Sequence, residues 1–275
     1  MLRRARLILA GVLLAAVPVW AAGTALQPGG GGVVRSVTDG DTLTVEMTES
    51  AKATPAGASP GTDIQIRLVG IQAPKLPLGR KGFAAWPLAD VSKAALEELA
   101  AGKTLTLAFG GLPVDRHGRL LAHLYDADGI WIQGEMLKRG LARVYTFPDN
   151  RKLAAEMLAL EKQARAAKAG IWADPFYAIR TPEAAAGDIG TFQLVEGVVK
   201  DAAMVRSRSY LNFGADWKTD FTIVISASAR KMLAKSGIDI MSLKGRRVRI
   251  RGWIDSYNGP MIELTHPEQL EVLDE

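Results

Sequence analysis

The stretch SVTDGDTLTV, Ser36 to Val45, sets Asp39 and Asp41 around Gly40 between two apolar runs. Two readings are open. Asp-Gly is a strong hairpin-turn signal, and a turn accounts for Asp39 and Gly40. A hard divalent cation takes carboxylate oxygens, and Asp41, at the start of a strand, is placed to supply one. Further on, Arg67 stands between Ile66 and Leu68 within an apolar alternation. A charge there either points outward into water or faces inward, where a guanidinium's planar fork suits an anion such as phosphate. The loop KLPLGRKG, Lys75 to Gly82, adds Arg80 and Lys81, and a basic loop suits a polyanion. Near the C-terminus, RSRSYLNFGADWKTDFT interleaves Arg206, Arg208 and Lys218 with Tyr210, Phe213 and Trp217. Basic residues among aromatics on a barrel face are a means of holding single-stranded nucleic acid; the alternative is that half of these aromatics are core. KGRRVRIRGW alternates Arg247, Arg249 and Arg251 on one face of a strand and reads as a solvated face.

Composition narrows the chemistry. The 275 residues are 48% hydrophobic and 23% charged, enough for one large or two small packed domains. There is no cysteine, which excludes thiolate zinc sites, thiol nucleophiles and redox pairs. His117, His123 and His266 are too scattered to suggest a histidine metal site. Arg3, Arg4 and Arg6 precede the apolar run Leu7 to Trp20 and the small residues AAGTA, the pattern of a signal peptide cleaved near Ala21 to Ala25. That predicts export, periplasmic or secreted; the alternative is an N-terminal membrane anchor, for which the run is short. Three charges of the formal +5 lie in that leader, so the mature chain is only +2. A nucleic-acid partner therefore needs a local patch, since net charge does not supply one.

The elements that must position these residues follow from periodicity. LQPGGGG, residues 26–32, reads as a flexible lead-in. Strands are predicted at Val33–Ser36, Thr42–Met47 and Ile64–Ile71, a helix over Pro87–Gly102, strands in KTLTLAF and GRLLAHLYD, a short helix ending near Gly140, and a long amphipathic helix closed by Gly170. Five short strands with a helix between the third and fourth is the plan of an OB-fold barrel. Residues 174–191 read as a linker. Over 192–275 the pattern recurs, with strands at Gln193–Val199, Ser209–Phe213, Phe221–Ser226, Arg246–Ile254 and Met261–Leu264 and a helix at Ala227–Ser236. The expected fold class is thus mainly β with α (α+β): a five-stranded OB-like barrel over 33–173, then a second, smaller OB-like barrel.

Five segments together, VTDGDTLTV, IRLVGIQAP, DRHGRLLAHLY, MLKRGLARVY and KAGIW, stand in an order and spacing that resembles the staphylococcal-type thermonuclease family. The resemblance implies an OB-fold barrel that hydrolyses phosphodiesters of DNA or RNA with calcium. It implies Asp41 as a calcium ligand, Arg67 as the first phosphate-binding arginine and Arg119 as the second; without it, Arg119 reads as a turn arginine after Gly118. His117 occupies a position where the family often has an aromatic residue, and is either a surface histidine or a nucleotide contact. The chain departs from the pattern at GIQAPK. Gln72 stands at the second calcium-binding carboxylate, and Lys75 at the glutamate that positions the attacking water. Losing two carboxylates removes most of the attraction for a divalent cation, and lysine adds repulsion. An ammonium replaces part of the cation's charge but generates no metal-bound hydroxide. Two functions follow as expectations. One is a phosphodiesterase with Asp41 and Gln72 as metal ligands and Arg67, Arg119 and Lys75 in the chemistry. The other is a catalytically silent nucleic-acid or phosphate binder. In both, Arg80, Lys81, His117, Tyr210 and Trp217 are candidate nucleic-acid contacts.

Overall fold

The structure is a computed structural model that describes residues 26–273. The expected signal peptide lies outside them. Elements in the first part are β1 (Gln27–Asp39), β2 (Thr42–Glu49), β3 (Asp63–Leu68), β4 (Gly70–Gln72), α1 (Ala89–Ala100), β5 (Thr104–Phe109), β6 (Leu120–Tyr125), α2 (Ile132–Lys138), β7 (Arg143–Tyr145) and α3 (Ala154–Ala166). Five strands close a barrel in the order β1-β2-β3-β6-β5. All pairs are antiparallel except β3 with β6, which run parallel from Ile66↔Leu120. Alternation in β2 turns Leu43, Val45 and Met47 inward to meet Ile66, Leu68, Leu105 and Leu107 in one core.

The glycine run differs from expectation. It is no flexible lead-in but the first half of β1, with Gln27 opposite Phe109 and Gly31 opposite both Thr106 and Glu49. The reason is steric. A Cβ on Gly29 would stand 2.7 Å from the Phe109 ring, and one on Gly32 would overlap the Val45 side chain. Glycine lets the bulged strand pass close to both neighbours and bend to pair with each. The predicted strand Ile64–Ile71 is also divided. Gly70, at φ 83°, kinks the chain out of β3 into β4, which pairs with β7 outside the barrel.

The connector is compact. Short 3₁₀ turns at Gly170–Ala173, Pro175–Tyr177 and Glu183–Asp188 bury Tyr177 and Ala185, and the Tyr177 hydroxyl donates to the Pro87 carbonyl at 2.6 Å. The second part holds β8 (Phe192–Val198), β9 (Asp201–Val205), β10 (Arg208–Asn212), β11 (Thr222–Ile225), α4 (Ala227–Lys235), β12 (Arg247–Trp253), β13 (Asp255–Ser256), β14 (Pro260–Leu264) and β15 (Leu270–Leu273). Its sheets are ordered β13-β14-β11-β10-β9 and β15-β12-β8. The plan repeats the first barrel. β8 and β9 follow one another as a broken first strand, one pairing with β12 and the other with β10, while β11 and β14 run parallel. These sheets wrap a second core around Phe221, Ile223, Val248 and Ile262, without the closed hydrogen-bonded ring of the first.

The two parts meet through buried charge. Arg251 is 1% exposed and donates to both Glu161 oxygens, each at 2.9 Å, and to Glu271 at 2.7 Å. Arg249 binds Glu196 and Glu271, and Arg165 binds Glu161 and Glu271. This corrects the reading of KGRRVRIRGW as a solvated face: Arg251 and Arg249 join an ion network that reaches α3 of the first barrel. Sequence alternation shows which side of a strand a residue takes but not what covers that side. Among the described residues no helix is long and apolar enough to cross a membrane.

Candidate functional site

The β1–β2 turn is tight. Asp39 pairs with Thr42, and the Asp39 carboxylate accepts from the Asp41 amide at 3.2 Å, holding the two-residue turn as a hairpin requires. Gly40 is sterically required, because a Cβ there would overlap the Ser92 hydroxyl of α1. The turn is thereby pressed beneath α1, and Asp41 is fully buried.

Asp41 faces the segment that leaves β4. One of its oxygens accepts from the Ala73 amide at 2.7 Å, and the Lys75 ammonium donates to both at 2.7 Å. Thr42 donates to it at 3.1 Å, and an Arg67 nitrogen stands 3.3 Å away. Lys75 also reaches Asp39 at 3.2 Å. Burial alone would raise the Asp41 pKa, but Arg67, Lys75 and these hydrogen bonds outweigh it and hold the carboxyl well below the usual carboxylate range. Asp39 is raised instead, by burial and by the neighbouring Asp41 charge, only partly offset by Lys75.

Arg67 is held by backbone. Its guanidinium donates to the carbonyls of Leu68 at 2.8 Å and Ile71 at 2.6 Å. It lines a cleft of about 580 Å³ together with Arg119, Arg116 and His117. Arg119 is aimed by Asp115, which accepts from its Nε at 2.8 Å and stands 2.7 Å from an Nη. Burial pushes the Asp115 carboxyl up, but the Arg119 hydrogen bonds outweigh it and the pKa is lowered. Asp115 stays ionised and fixes Arg119, leaving other N–H donors of its guanidinium for a ligand.

The remaining sequence candidates divide. Gln72 lies in β4 opposite Arg143, and its carbonyl oxygen accepts from Arg143 Nε at 3.0 Å; Arg143 goes on to the Phe192 carbonyl. Gln72 is thus engaged with the inter-barrel contact. Arg80 stacks on Phe83 at 3.8 Å in an exposed loop, and Lys81 beside it is exposed. His117 is exposed on the cleft and accepts from Arg116. Tyr210, in β10, and Trp217, in an exposed turn with Lys218 against it, are not among the residues of the cleft. Sequence reasoning missed Tyr145, Phe147 and Trp253, which form the cleft's aromatic edge. Their signal was present as aromatics at the ends of the segments LARVY and VRIRGW, but nothing in the sequence brings those ends together.

Calcium requires six to eight oxygen ligands. Here both Asp41 oxygens already accept from Lys75, Gln72 is bound to Arg143, and Asp39 is spent on the turn and on Lys75. Among the described residues no group of three or more His, Asp or Glu is placed to hold a metal ion. The residues present do not fit calcium.

The sequence pattern of the family described as staphylococcal nuclease homologue matches residues 65–174. An uncharacterized endonuclease of Escherichia coli O157:H7 is 33% identical over 144 residues, 52% of this chain and 77% of that protein. The chain belongs to the staphylococcal nuclease family. A probable staphylococcal-like nuclease of Oryza sativa subsp. japonica is 37% identical over 109 residues, 40% of this chain and 29% of that one. Endonuclease YncB of Bacillus subtilis is 40% identical over 90 residues, 32% of this chain and 42% of the relative. The family match begins within β3 and ends before β8, so it covers Arg67 and Arg119 but leaves out β1, β2 and the Asp41 turn as well as the second part.

Proposed function

We propose that this chain is an exported member of the nuclease family that binds nucleic-acid phosphodiesters without calcium, and that it does not carry out calcium-dependent hydrolysis. One observation carries this reading: the Lys75 ammonium lies on both oxygens of Asp41, where the family resemblance calls for a cation. The site keeps positive charge beside Arg67 without a metal. Phosphate oxygens are met by Arg67 and Arg119, oriented by carbonyls and by Asp115, and charge-assisted bonds of this kind are the strong ones. Hydrolysis further needs a group that takes a proton from water. The Lys75 nitrogen is engaged as a donor to two carboxylates, and no Glu stands at its position to take that proton.

Hydrolysis is the second reading, favoured by relatives whose names are endonuclease or nuclease. Binding is tested with the mature protein and a labelled single-stranded oligonucleotide in chelator. Arg119→Ala should weaken binding roughly tenfold and lower the salt slope by about 0.7. Lys235→Ala, on α4, should change neither. Equal affinities for wild type and Arg119→Ala would remove the cleft from nucleic-acid binding.

A further inference from the structure

The second barrel brings an aromatic side chain to the rim of the first barrel's cleft. Trp253, the last residue of β12, is 47% exposed, and its indole N–H donates to the Tyr145 hydroxyl at 2.9 Å. Phe147, 43% exposed, packs edge-on against Tyr145 with ring centres 4.8 Å apart. Two residues before Trp253, Arg251 is locked into the buried ion network with Glu161. Trp253 is therefore held from both sides, by the first barrel's tyrosine and by the interface behind it.

Tyr145, Phe147 and Trp253 also line a second cleft of about 260 Å³ between the two parts. That cleft carries the carboxylates of Asp255 and Glu263 beside Arg251, whose charge is taken up by Glu161 and Glu271, and the first cleft carries Arg67, Arg116 and Arg119 with Asp115 and Asp149. Charge therefore sorts a nucleic-acid strand. Phosphates are drawn to Arg67 and Arg119 and repelled by Asp255 and Glu263 of the second cleft, while an uncharged base loses nothing by lying on the rings. Base-on-aromatic stacking tolerates any base, because every base has a π-face.

We infer that Trp253, with Tyr145 and Phe147, forms a nucleobase-stacking shelf for single-stranded nucleic acid, so that the second barrel completes the substrate groove of the first. This rests on the phosphodiester-binding reading above. A duplex keeps its bases stacked on one another and has none free for the shelf, so the ligand class is single-stranded.

The test uses the mature protein in chelator with three labelled probes: a thymidine decamer, an abasic decamer with the same phosphates, and a duplex. Trp253→Ala should weaken the thymidine decamer about tenfold or more and leave the abasic decamer unchanged. Trp253→Phe should recover most of the loss, and an unchanged melting temperature in both variants would show that folding is intact. Wild type should bind the duplex more weakly than the thymidine decamer. If thymidine and abasic decamers bind alike and Trp253→Ala alters neither, the shelf is overturned while phosphate binding stands. If no probe binds, both the shelf and the phosphate reading fall.

Discussion

Replacing Lys75 with methionine removes the ammonium and keeps much of the side-chain stem. Fully buried Asp41 then loses the donor that contacts both of its oxygens and keeps the Ala73 amide, Thr42 and Arg67. Breaking a buried ion pair from one side typically costs about 3–5 kcal/mol, because the surviving charge is left uncompensated. Lys75 is 20% exposed and Arg67 stays 3.3 Å from Asp41, so we expect less, about 2 kcal/mol at neutral pH. The pH dependence has a definite sign. The Asp41 carboxyl is depressed in the fold, so its contribution is full above its unfolded value of 3.8 and lost as pH falls through the lower folded value. Asp39 is raised, so its strain at neutral pH is relieved as pH falls through its raised folded value toward 3.8. Without Lys75 both carboxyls rise, protonation comes earlier, and the deficit of the variant shrinks on acidification. Urea unfolding of wild type and Lys75→Met at about pH 7 and about pH 4.5 reads this directly. A variant within about 0.5 kcal/mol of wild type at neutral pH, the usual range for a surface substitution, would refute the reasoning. So would a deficit that grows on acidification.

Further outcomes follow from the interface and the altered loop. Glu161→Ala leaves fully buried Arg251 with Glu271 as its remaining carboxylate and leaves the Val144 amide without its acceptor; it should cost about 3 kcal/mol in urea unfolding, the low end for a broken buried pair, and open the connector to limited proteolysis. His266, between Thr146 and Thr265, has its pKa pushed down to about 4 by burial, against 6.5 for a free histidine. The unfolded chain binds that proton first, so stability falls as pH drops from 6.5 toward 4, by about 2 kcal/mol at pH 5. His266→Gln should flatten that part of the curve. The double change Gln72→Asp with Lys75→Glu restores carboxylates around Asp41. Millimolar calcium should raise its melting temperature by several degrees and leave wild type unmoved.

Much of this was legible in the sequence. The barrel strands announce themselves by alternation around Leu43, Val45, Ile66 and Leu68, and the turn by Asp39-Gly40, because local periodicity and turn chemistry are sequence properties. The role of residues 26–32 was not legible, since a glycine run has no side chains to alternate and its strand character comes from Phe109 and Val45 pressing against it. The departures Gln72 and Lys75 could be named but not their partners. That Lys75 reaches back over thirty residues to Asp41, and that Gln72 answers Arg143 across a ribbon, is set by the kink at Gly70 and the β4–β7 pairing. The shelf was illegible for the same reason: Tyr145 and Trp253 are 108 residues apart and meet only when the barrels dock.

The central claim is that Lys75 stands where a cation would, so that phosphodiester binding needs no calcium and calcium brings no cleavage. One labelled single-stranded oligonucleotide, incubated with the protein from residue 26 onward in chelator and in millimolar calcium, tests it when affinity and product are read from the same samples. The account predicts the same dissociation constant in both and an intact oligonucleotide throughout. Cleavage that appears with calcium, vanishes with chelator and is lost in Asp41→Ala would contradict it.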